Sequence, residues 1–477
     1  MEPDAAKAEQ ADKGVCGMST IQTISQRSQL PNFVATRNAC KLCAPLGASI
    51  AVRGIEGALP FLHGSQGCAT YMRRYIISHF REPMDIAASS FNEASTIFGG
   101  GECLYQGIRN VTSQYHPALI GIATTCLSET IGEDVAQLLG RYEADPENAG
   151  GPVLVHMSTP SYSGTHMDGF HAAVLAVVEK LGVQQEAIKG RINLFPGMVS
   201  ASDLRYLKEI VADFALTAVL LPDYSDTLDG QALDTYNKIP AGGTPIAAIR
   251  STAGAMASVE FGRTILHRKT AASFLKAEFG IPAHRMGTPI GVRETDAFFH
   301  LLEIVSGRAT PEKHQSERGR LIDAYVDGHK YVYGKRAVVY GEEDMVVGLA
   351  AFLAEIGVIP VLCASGGESG LLAQSVAAVT PELEGKIVVR EGTDFMSIAE
   401  EAQQLAPDFL IGSSKGQSVA RQLGVPLIRV GFPIHDRIGG QRILHLGYRG
   451  AQQLFDHVVN TILECKQQDS TIGYSYM

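Results

Sequence analysis

Three segments of the chain place a cysteine among small loop residues, and thiols in that setting could bind iron. They are CKLCAPLG at residues 40–47, HGSQGC at 63–68 and TTCLSE at 124–129. An iron–sulfide cluster needs thiolates on short rigid loops, with backbone N–H donors beside the sulfurs and small residues that admit the main chain. The spacing alone favours the simpler interpretation of small buried side chains, because the thiols are far apart in sequence and free cysteine is commonly buried.

The two cysteines of the first segment also allow other chemistry. Cys40 and Cys43 form a C-x-x-C pair, which could be a redox pair or one half of a zinc site. No second C-x-x-C pair follows it, so the sequence gives little support to either use. The remaining cysteines lack such surroundings, and we predict ordinary thiols at Cys16, Cys103, Cys363 and Cys465.

Short apolar runs alternate with helical stretches, and this pattern places one cysteine loop and one serine-bearing loop at strand ends. A strand predicted at 119–123 leads into the loop with Cys126, and a strand at 153–157 leads into a loop with Ser161. Neighbouring parallel strands end at one carboxyl edge, where α/β proteins bind ligands. Helices are expected from about Ile131 and over 166–181. Gly-x-Gly-x-x-Gly and Walker A sequences are absent, so a tightly held nucleotide is not indicated.

The same alternation along the chain predicts an α/β fold with three doubly wound Rossmann-like domains, each built on a parallel sheet. The length of 477 residues agrees, because a single hydrophobic core stops growing well before that size. The predicted divisions are a flexible N-terminal arm at 1–35, a cysteine-bearing domain at 36–188, a second domain at 189–304, a connecting helix at 305–334, and a third domain with a C-terminal helix at 335–477.

Composition excludes several classes of function. Apolar residues make up 45% of the chain and charged residues 19%, which is typical of a globular protein with a filled interior. The net charge of −10 and the absence of long Lys/Arg runs argue against nucleic acid and anionic membranes as partners. No apolar stretch is long enough to span a bilayer, and the polar N-terminus lacks the apolar core of a signal peptide. We therefore expect a cytoplasmic location.

Nearly the whole chain beyond residue 35 resembles one family, the β-type subunits of nitrogenase component 1 and their relatives. The resemblance rests on nine segments taken together and in order, of which HGSQGC, TTCLSETIGED and GFPIHDR are the most specific. The segments are CAPLGA, HGSQGCATY, SHFREP, IFGGGE, TTCLSETIGED, TPSYSGTH, ERGRLIDAYVDGH, VGFPIHDRIGGQR and LGYRGAQ.

The resemblance implies a site for an iron–sulfur cluster. In that family, three cysteines of the β-type subunit and three of the α-type subunit share an [8Fe-7S] P-cluster, and the matching positions here are Cys43, Cys68 and Cys126. A serine able to ligate the oxidised cluster matches Ser161, and Cys40 matches a structural cysteine. Related complexes hold a simpler [4Fe-4S] cluster with fewer β-type cysteines. The full cysteine set therefore favours the larger cluster.

The resemblance also implies partners and a reaction. The expected assembly is an α2β2 heterotetramer with a homologous α-type subunit, to which an ATP-dependent iron protein docks transiently and delivers electrons. The shared cluster relays them to a metallocluster in the α-type subunit, which reduces dinitrogen or a small thioether, as in methylthio-alkane reductase. No catalytic residue is then expected in this chain. Two alternatives stay open: the β-type subunit of a cofactor-assembly scaffold, and a regulatory metal-sensing protein that kept the fold.

Two polar features of the matching segments have competing interpretations. His63 could donate a hydrogen bond near the cluster or bridge two loops, and we favour the bridge. His79, Arg81 and Glu82 in SHFREP could form a polar network or an interface, and we favour the interface, because charged residues inside a motif otherwise require buried partners. The three glycines at 99–101 lack the Lys-Ser/Thr of a phosphate loop and predict a close-packed turn.

Overall fold

The computed structural model describes residues 40–471, so the arm predicted at 1–35 and Cys16 lie outside the described residues. The described chain contains three sheets, and every strand pair in them is parallel. Helices cover the sheets, as the alternation of apolar runs and helical stretches predicts. The expected α/β class with three parallel-sheet domains is confirmed.

The first domain carries the three cysteine segments. Its sheet has the strand order β2-β1-β3-β4, and β1 and β3 are buried along their whole length, as expected of parallel strands covered on both faces. The strands are β1 (Ala58–His63), β2 (Ala87–Ala88), β3 (Leu119–Thr124) and β4 (Val153–Met157), and the helices are α1 (Ala44–Arg53), α2 (Gln66–Phe80), α3 (Glu93–Phe98), α4 (Gly101–Tyr115), α5 (Cys126–Thr130), α6 (Val135–Ala144) and α7 (His166–Leu181).

The second domain has the strand order β6-β5-β7-β8 and is joined to the third by a long helix. That helix, α12, lies within the predicted connecting segment. The elements are β5 (Arg191–Phe195), α8 (Ala201–Asp213), β6 (Thr217–Leu220), α9 (Ile246–Arg250), β7 (Ala257–Phe261), α10 (Ala271–Phe279), β8 (Ala283–Met286), α11 (Gly291–Ser306) and α12 (Glu312–Val332).

The third domain has the strand order β11-β10-β9-β12-β13, and its last helix packs against α12. No helix within residues 40–471 is long and apolar enough to cross a membrane. The elements are β9 (Arg336–Gly341), α13 (Glu343–Glu355), β10 (Ile359–Ser365), α14 (Leu372–Val379), β11 (Val388–Arg390), α15 (Phe395–Leu405), β12 (Phe409–Gly412), α16 (Gln417–Leu423), β13 (Leu427–Arg429) and α17 (Gly447–Gln468).

The loop expected after β3 differs from the prediction, because it contains the short helix α5, which begins at Cys126. The reason is local capping. Ser128 Oγ accepts a hydrogen bond from Thr125 N at 3.0 Å, which satisfies a backbone donor at the helix start. The helix expected from about Ile131 begins later, at Val135, where Asp134 accepts a hydrogen bond from Gln137 N at 2.9 Å.

The SHFREP segment joins the first domain to the other two. His79 Nδ1 accepts a hydrogen bond from Ile434 N at 2.9 Å, and Arg81 Nη2 donates to His435 O at 2.9 Å. Glu82 Oε1 accepts from Gly230 N at 3.2 Å. The partners of these residues are therefore other domains of the same chain. These contacts form the polar network that was the other interpretation of this segment, and it lies at the domain junction.

Buried neutral histidines at this junction predict acid sensitivity. Burial lowers the pKa of both His79 and His166 from the ordinary histidine value of 6.5 to about 3. Below pH 6.5 these histidines are therefore protonated in the unfolded chain but still neutral in the folded chain, so the unfolded chain binds more protons. Each histidine should therefore remove about 1.4 kcal/mol of unfolding free energy per pH unit as the pH falls below 6.5. Denaturation from pH 7 to pH 5 measures this slope. His79→Asn, which keeps an acceptor for Ile434 N, should flatten it.

Candidate metal centre

Three helices of the first domain each carry one of the predicted cysteine ligands at or beside their N-terminus. Cys43 is the residue before α1, and its carbonyl accepts a hydrogen bond from Leu46 N at 3.1 Å. Cys68 lies in the first turn of α2, which follows β1, and Cys126 is the first residue of α5, which follows β3. All three are partly exposed, unlike the buried Cys40 and Cys363. Helix N-termini carry partial positive charge and favour thiolates.

The loops with Cys68 and Cys126 fit against each other at Gly64. Its φ is 154°, and a Cβ atom there would overlap the Thr125 hydroxyl, so only glycine allows this contact. Thr125 N and Ser128 Oγ both donate hydrogen bonds to His63 O, at 3.1 and 2.8 Å. The loop after β1 and the loop after β3 are therefore held in one fixed arrangement.

The loop after β4 is tied to Cys126 by a set of short hydrogen bonds. Thr159 N donates to Thr124 Oγ1 at 2.8 Å, and Thr159 Oγ1 donates to Thr124 O at 2.7 Å. Ser158 Oγ donates to Glu129 Oε1 at 2.6 Å. The backbone N–H of Ser161 donates to Cys126 Sγ at 3.2 Å. The structure thus brings Ser161 beside Cys126, as the shared carboxyl edge predicts.

Cys43 is positioned by a close crossing of α1 over α7. A Cβ atom at Gly47 would overlap the carbonyl oxygen of His166, and one at Gly169 would overlap the carbonyl oxygen of Ala44. The two helix N-termini therefore lie against each other backbone to backbone. Because α7 follows the Ser161 loop, this crossing fixes Cys43 relative to the other site residues.

The three thiols are near enough to influence one another's charge. The pKa of Cys68 is raised above its ordinary value, first by burial and then by the negative charges of Cys43 and Cys126. By contrast, burial alone raises the pKa of Cys363 to about 12, which makes it an inert core side chain.

Within residues 40–471, no three His, Cys, Asp or Glu side chains lie close enough to hold a single metal ion. Converging thiols on separate loops suit a multi-iron cluster, whose ligands bind different iron atoms.

His63 bridges two loops beside this site, as the favoured interpretation has it. Its Nε2 lies 2.6 Å from Glu133 Oε2, and its Nδ1 lies 3.1 Å from Ser89 Oγ. Glu133 also accepts a hydrogen bond from Gly100 N in the glycine-rich turn. Burial lowers the pKa of His63, and Glu133 opposes this shift. Ser89 and Glu133 are missing from the predicted site, although Glu133 lies within the specific segment TTCLSETIGED.

Exposed apolar side chains flank the same edge of the domain. Phe98 is 87% exposed and Ile97 is 73% exposed, and both end the helix α3 just before the glycine-rich turn. Tyr162, next to Ser161, and Tyr71, on α2, are also exposed. Large apolar side chains grouped beside a functional site are typical of surfaces that contact other proteins.

Comparisons with known proteins give consistent matches over nearly the whole chain. The family model described as nitrogenase component 1 type oxidoreductase matches residues 43–463. The nitrogenase molybdenum-iron protein beta chain of Clostridium pasteurianum is 35% identical over 441 residues, covering 91% of this chain and 95% of the relative. The corresponding chain of Methanococcus maripaludis is 33% identical over 459 residues, covering 94% and 97%.

Solved structures agree with the sequence matches. A chain of the structure titled "Nitrogenase Cp1 at pH 6.5" is 32% identical and has a TM-score of 0.90. The match covers 95% of this chain and 98% of the solved chain. A chain of "Nitrogenase Cp1 at pH 5" has a TM-score of 0.70 at 17% identity, which shows a shared fold alone.

Proposed function

The chain belongs to the nitrogenase component 1 family as a β-type subunit of an oxidoreductase, and we propose that it shares a P-cluster-type iron–sulfur cluster with a homologous α-type subunit. The family membership confirms the resemblance of the nine sequence segments. The observation that carries the proposal is the placement of Cys43, Cys68 and Cys126 at the N-termini of three helices of one domain, together with the Ser161 N–H that donates to Cys126 Sγ.

The three thiols would hold one side of an [8Fe-7S] cluster, which stores and passes single electrons when bound. Their partial exposure supports sharing, because a ligand set that is open on one side needs a second surface to complete it. The Ser161 N–H stabilises negative charge on the Cys126 sulfur, and hydrogen bonds to sulfur tune the potential of such clusters. In the related complexes that hold a [4Fe-4S] cluster, the β-type subunit supplies fewer cysteines, so the complete set of three favours the larger cluster.

The proposed assembly is an α2β2 heterotetramer in which this chain relays electrons from an ATP-dependent iron protein. The electrons pass to a metallocluster in the α-type subunit that reduces dinitrogen or a small thioether. The exposed Phe98 and Ile97 support a protein contact beside the thiol loops. The complete set of three cysteines favours this relay over a cofactor-assembly scaffold.

Iron content tests the shared site. Three thiolates cannot complete an eight-iron cluster, so the chain expressed alone should purify without iron, and the chain expressed with its α-type partner should carry the cluster. Iron analysis and EPR spectra of both preparations measure this difference. A monomer that is stoichiometrically loaded with iron would contradict the proposal. An iron-loaded complex that fails to turn over with iron protein and ATP would favour the scaffold.

Ser161→Ala is expected to raise the midpoint potential of the oxidised cluster couple without changing iron content. The variant keeps the backbone N–H at Cys126 Sγ and loses only the hydroxyl, which can bind iron as an alkoxide in the oxidised state. The melting temperature should not change, because Thr165 and not Ser161 caps α7, through a 3.2 Å hydrogen bond from Met167 N.

Redox titration followed by EPR measures the potential of this variant. Ser163→Ala is the matched control, since Ser163 is an exposed serine in the same loop. An unchanged potential together with a lower melting temperature would leave Ser161 a purely structural role.

A further inference from the structure

A cavity of about 350 Å³ lies at the far end of α1 from Cys43. Its walls come from Arg53, from the segment after α2, and from residues 226–242 ahead of α9. Arg53 is the last residue of α1 and is only 3% exposed. Its Nε and Nη1 atoms are buried and have no hydrogen-bond partner within residues 40–471. The cavity is therefore lined by a buried cation that lacks a partner.

The acidic groups nearby do not neutralise this guanidinium by direct contact. Asp85 accepts hydrogen bonds from Tyr236 at 2.8 Å and Tyr115 at 3.2 Å, and it lies 3.5 Å from Arg73. Burial lowers the pKa of Arg53 to about 10, with Asp85 opposing, so the group remains charged at neutral pH. An unpaired buried charge is costly, and an anion beside it would remove much of that cost.

The remaining acids of the cavity wall limit the charge of that anion. Glu82 accepts a hydrogen bond from Gly230 N at 3.2 Å, and burial raises its pKa, while Asp226 lies 3.7 Å from Arg205. A dianion such as phosphate would be repelled by both carboxyl groups more strongly than a monoanion, because the repulsion scales with charge. A single negative charge fits the site best.

The other walls suit an organic body. Pro83, Leu233, Tyr236 and Pro240 give apolar surface, and the volume lies within the range of small-ligand pockets. We propose that this cavity binds a small organic monocarboxylate, with its carboxylate paired to Arg53 and its apolar part packed against Tyr236 and Leu233. The site is separate from the thiol loops, and its occupancy does not depend on the cluster.

Isothermal titration calorimetry of the αβ complex tests the proposal by measuring the binding affinities of three monocarboxylate probes: benzoate, butyrate and acetate. Benzamide serves as the neutral analogue of benzoate, and inorganic phosphate, titrated at mildly alkaline pH where it is mostly doubly charged, serves as the dianion. At least one monocarboxylate should bind saturably, and benzamide and phosphate should bind at least about tenfold more weakly, since hydrogen bonds to a charged group are the strong ones. Arg53→Met should weaken carboxylate binding by a similar factor.

A second pair of variants keeps the test valid if Arg53→Met does not fold. Leu233 is 61% exposed at the cavity, so substitutions there should leave the fold intact. Leu233→Glu adds a like charge and should weaken carboxylate binding several-fold, whereas Leu233→Gln, of the same size, should retain it. The proposal is overturned by a lack of saturable binding of all three probes, by tighter binding of phosphate, or by binding that neither Arg53→Met nor Leu233→Glu weakens.

Discussion

Cys68→Ala and Cys126→Ala are each expected to abolish substrate reduction by the αβ complex while the chain stays folded. Each removes one thiolate from the three that converge beside the α2 and α5 N-termini. Loss of groups that only orient a metal ligand typically costs 10–100-fold in affinity or activity, so loss of a ligand should cost more than about 100-fold. Reduction rates with iron protein and ATP, together with iron content, measure the effect.

The fold should tolerate both changes because both thiols are partly exposed and neither is among the buried residues of the core. Circular dichroism and melting temperature should therefore stay near those of the unmodified complex. Cys103→Ala is the matched control, since Cys103 is a partly exposed cysteine of the same domain on α4. If Cys68→Ala or Cys126→Ala retained full reduction, the ligand assignment would be wrong. If Cys103→Ala abolished it, thiol loss alone could not identify the ligands.

Local patterns predicted the fold well where one element determines its own bounds. The strand Val153–Met157 and the helix His166–Leu181 occur at their predicted limits. In both, an apolar run ends at residues that terminate or cap it, such as Thr165 before α7. The start of α5 was missed because it depends on one hydrogen bond, between Thr125 N and Ser128 Oγ.

Contacts between distant segments limited what could be predicted of the site. The carboxyl edge of a parallel sheet predicts that Ser161 and Cys126 lie close, but not that a backbone N–H reaches the sulfur. His63 bridges Ser89 and Glu133, which lie 26 and 70 residues further along the chain. Such pairs leave no periodicity in the sequence. The same holds for SHFREP, whose partners lie in the other two domains.

Gly47→Ala is expected to destabilise the chain and to lower its iron content together. The added methyl group would overlap the backbone carbonyl of His166, which cannot rotate away as a side chain could. Helices α1 and α7 would then have to separate. Overpacked cores usually lose 1–3 kcal/mol, and a backbone obstacle should place this variant at or above about 3 kcal/mol. Because Cys43 immediately precedes α1, the same displacement moves a thiol away from Cys68 and Cys126.

Gly169→Ala tests the same crossing from the other helix, since its methyl group would overlap the carbonyl of Ala44. Its losses of stability and iron should match those of Gly47→Ala. Gly319→Ala is the control: Gly319 lies within α12, and a methyl group there meets nothing within 4 Å. That change should stabilise by about 0.4–1 kcal/mol, because alanine loses less backbone entropy on folding. Denaturant unfolding gives the free energy of unfolding of the three variants, and iron analysis gives their iron content. If Gly47→Ala were as stable as Gly319→Ala, or kept its full iron content, the crossing would not be the element that positions Cys43.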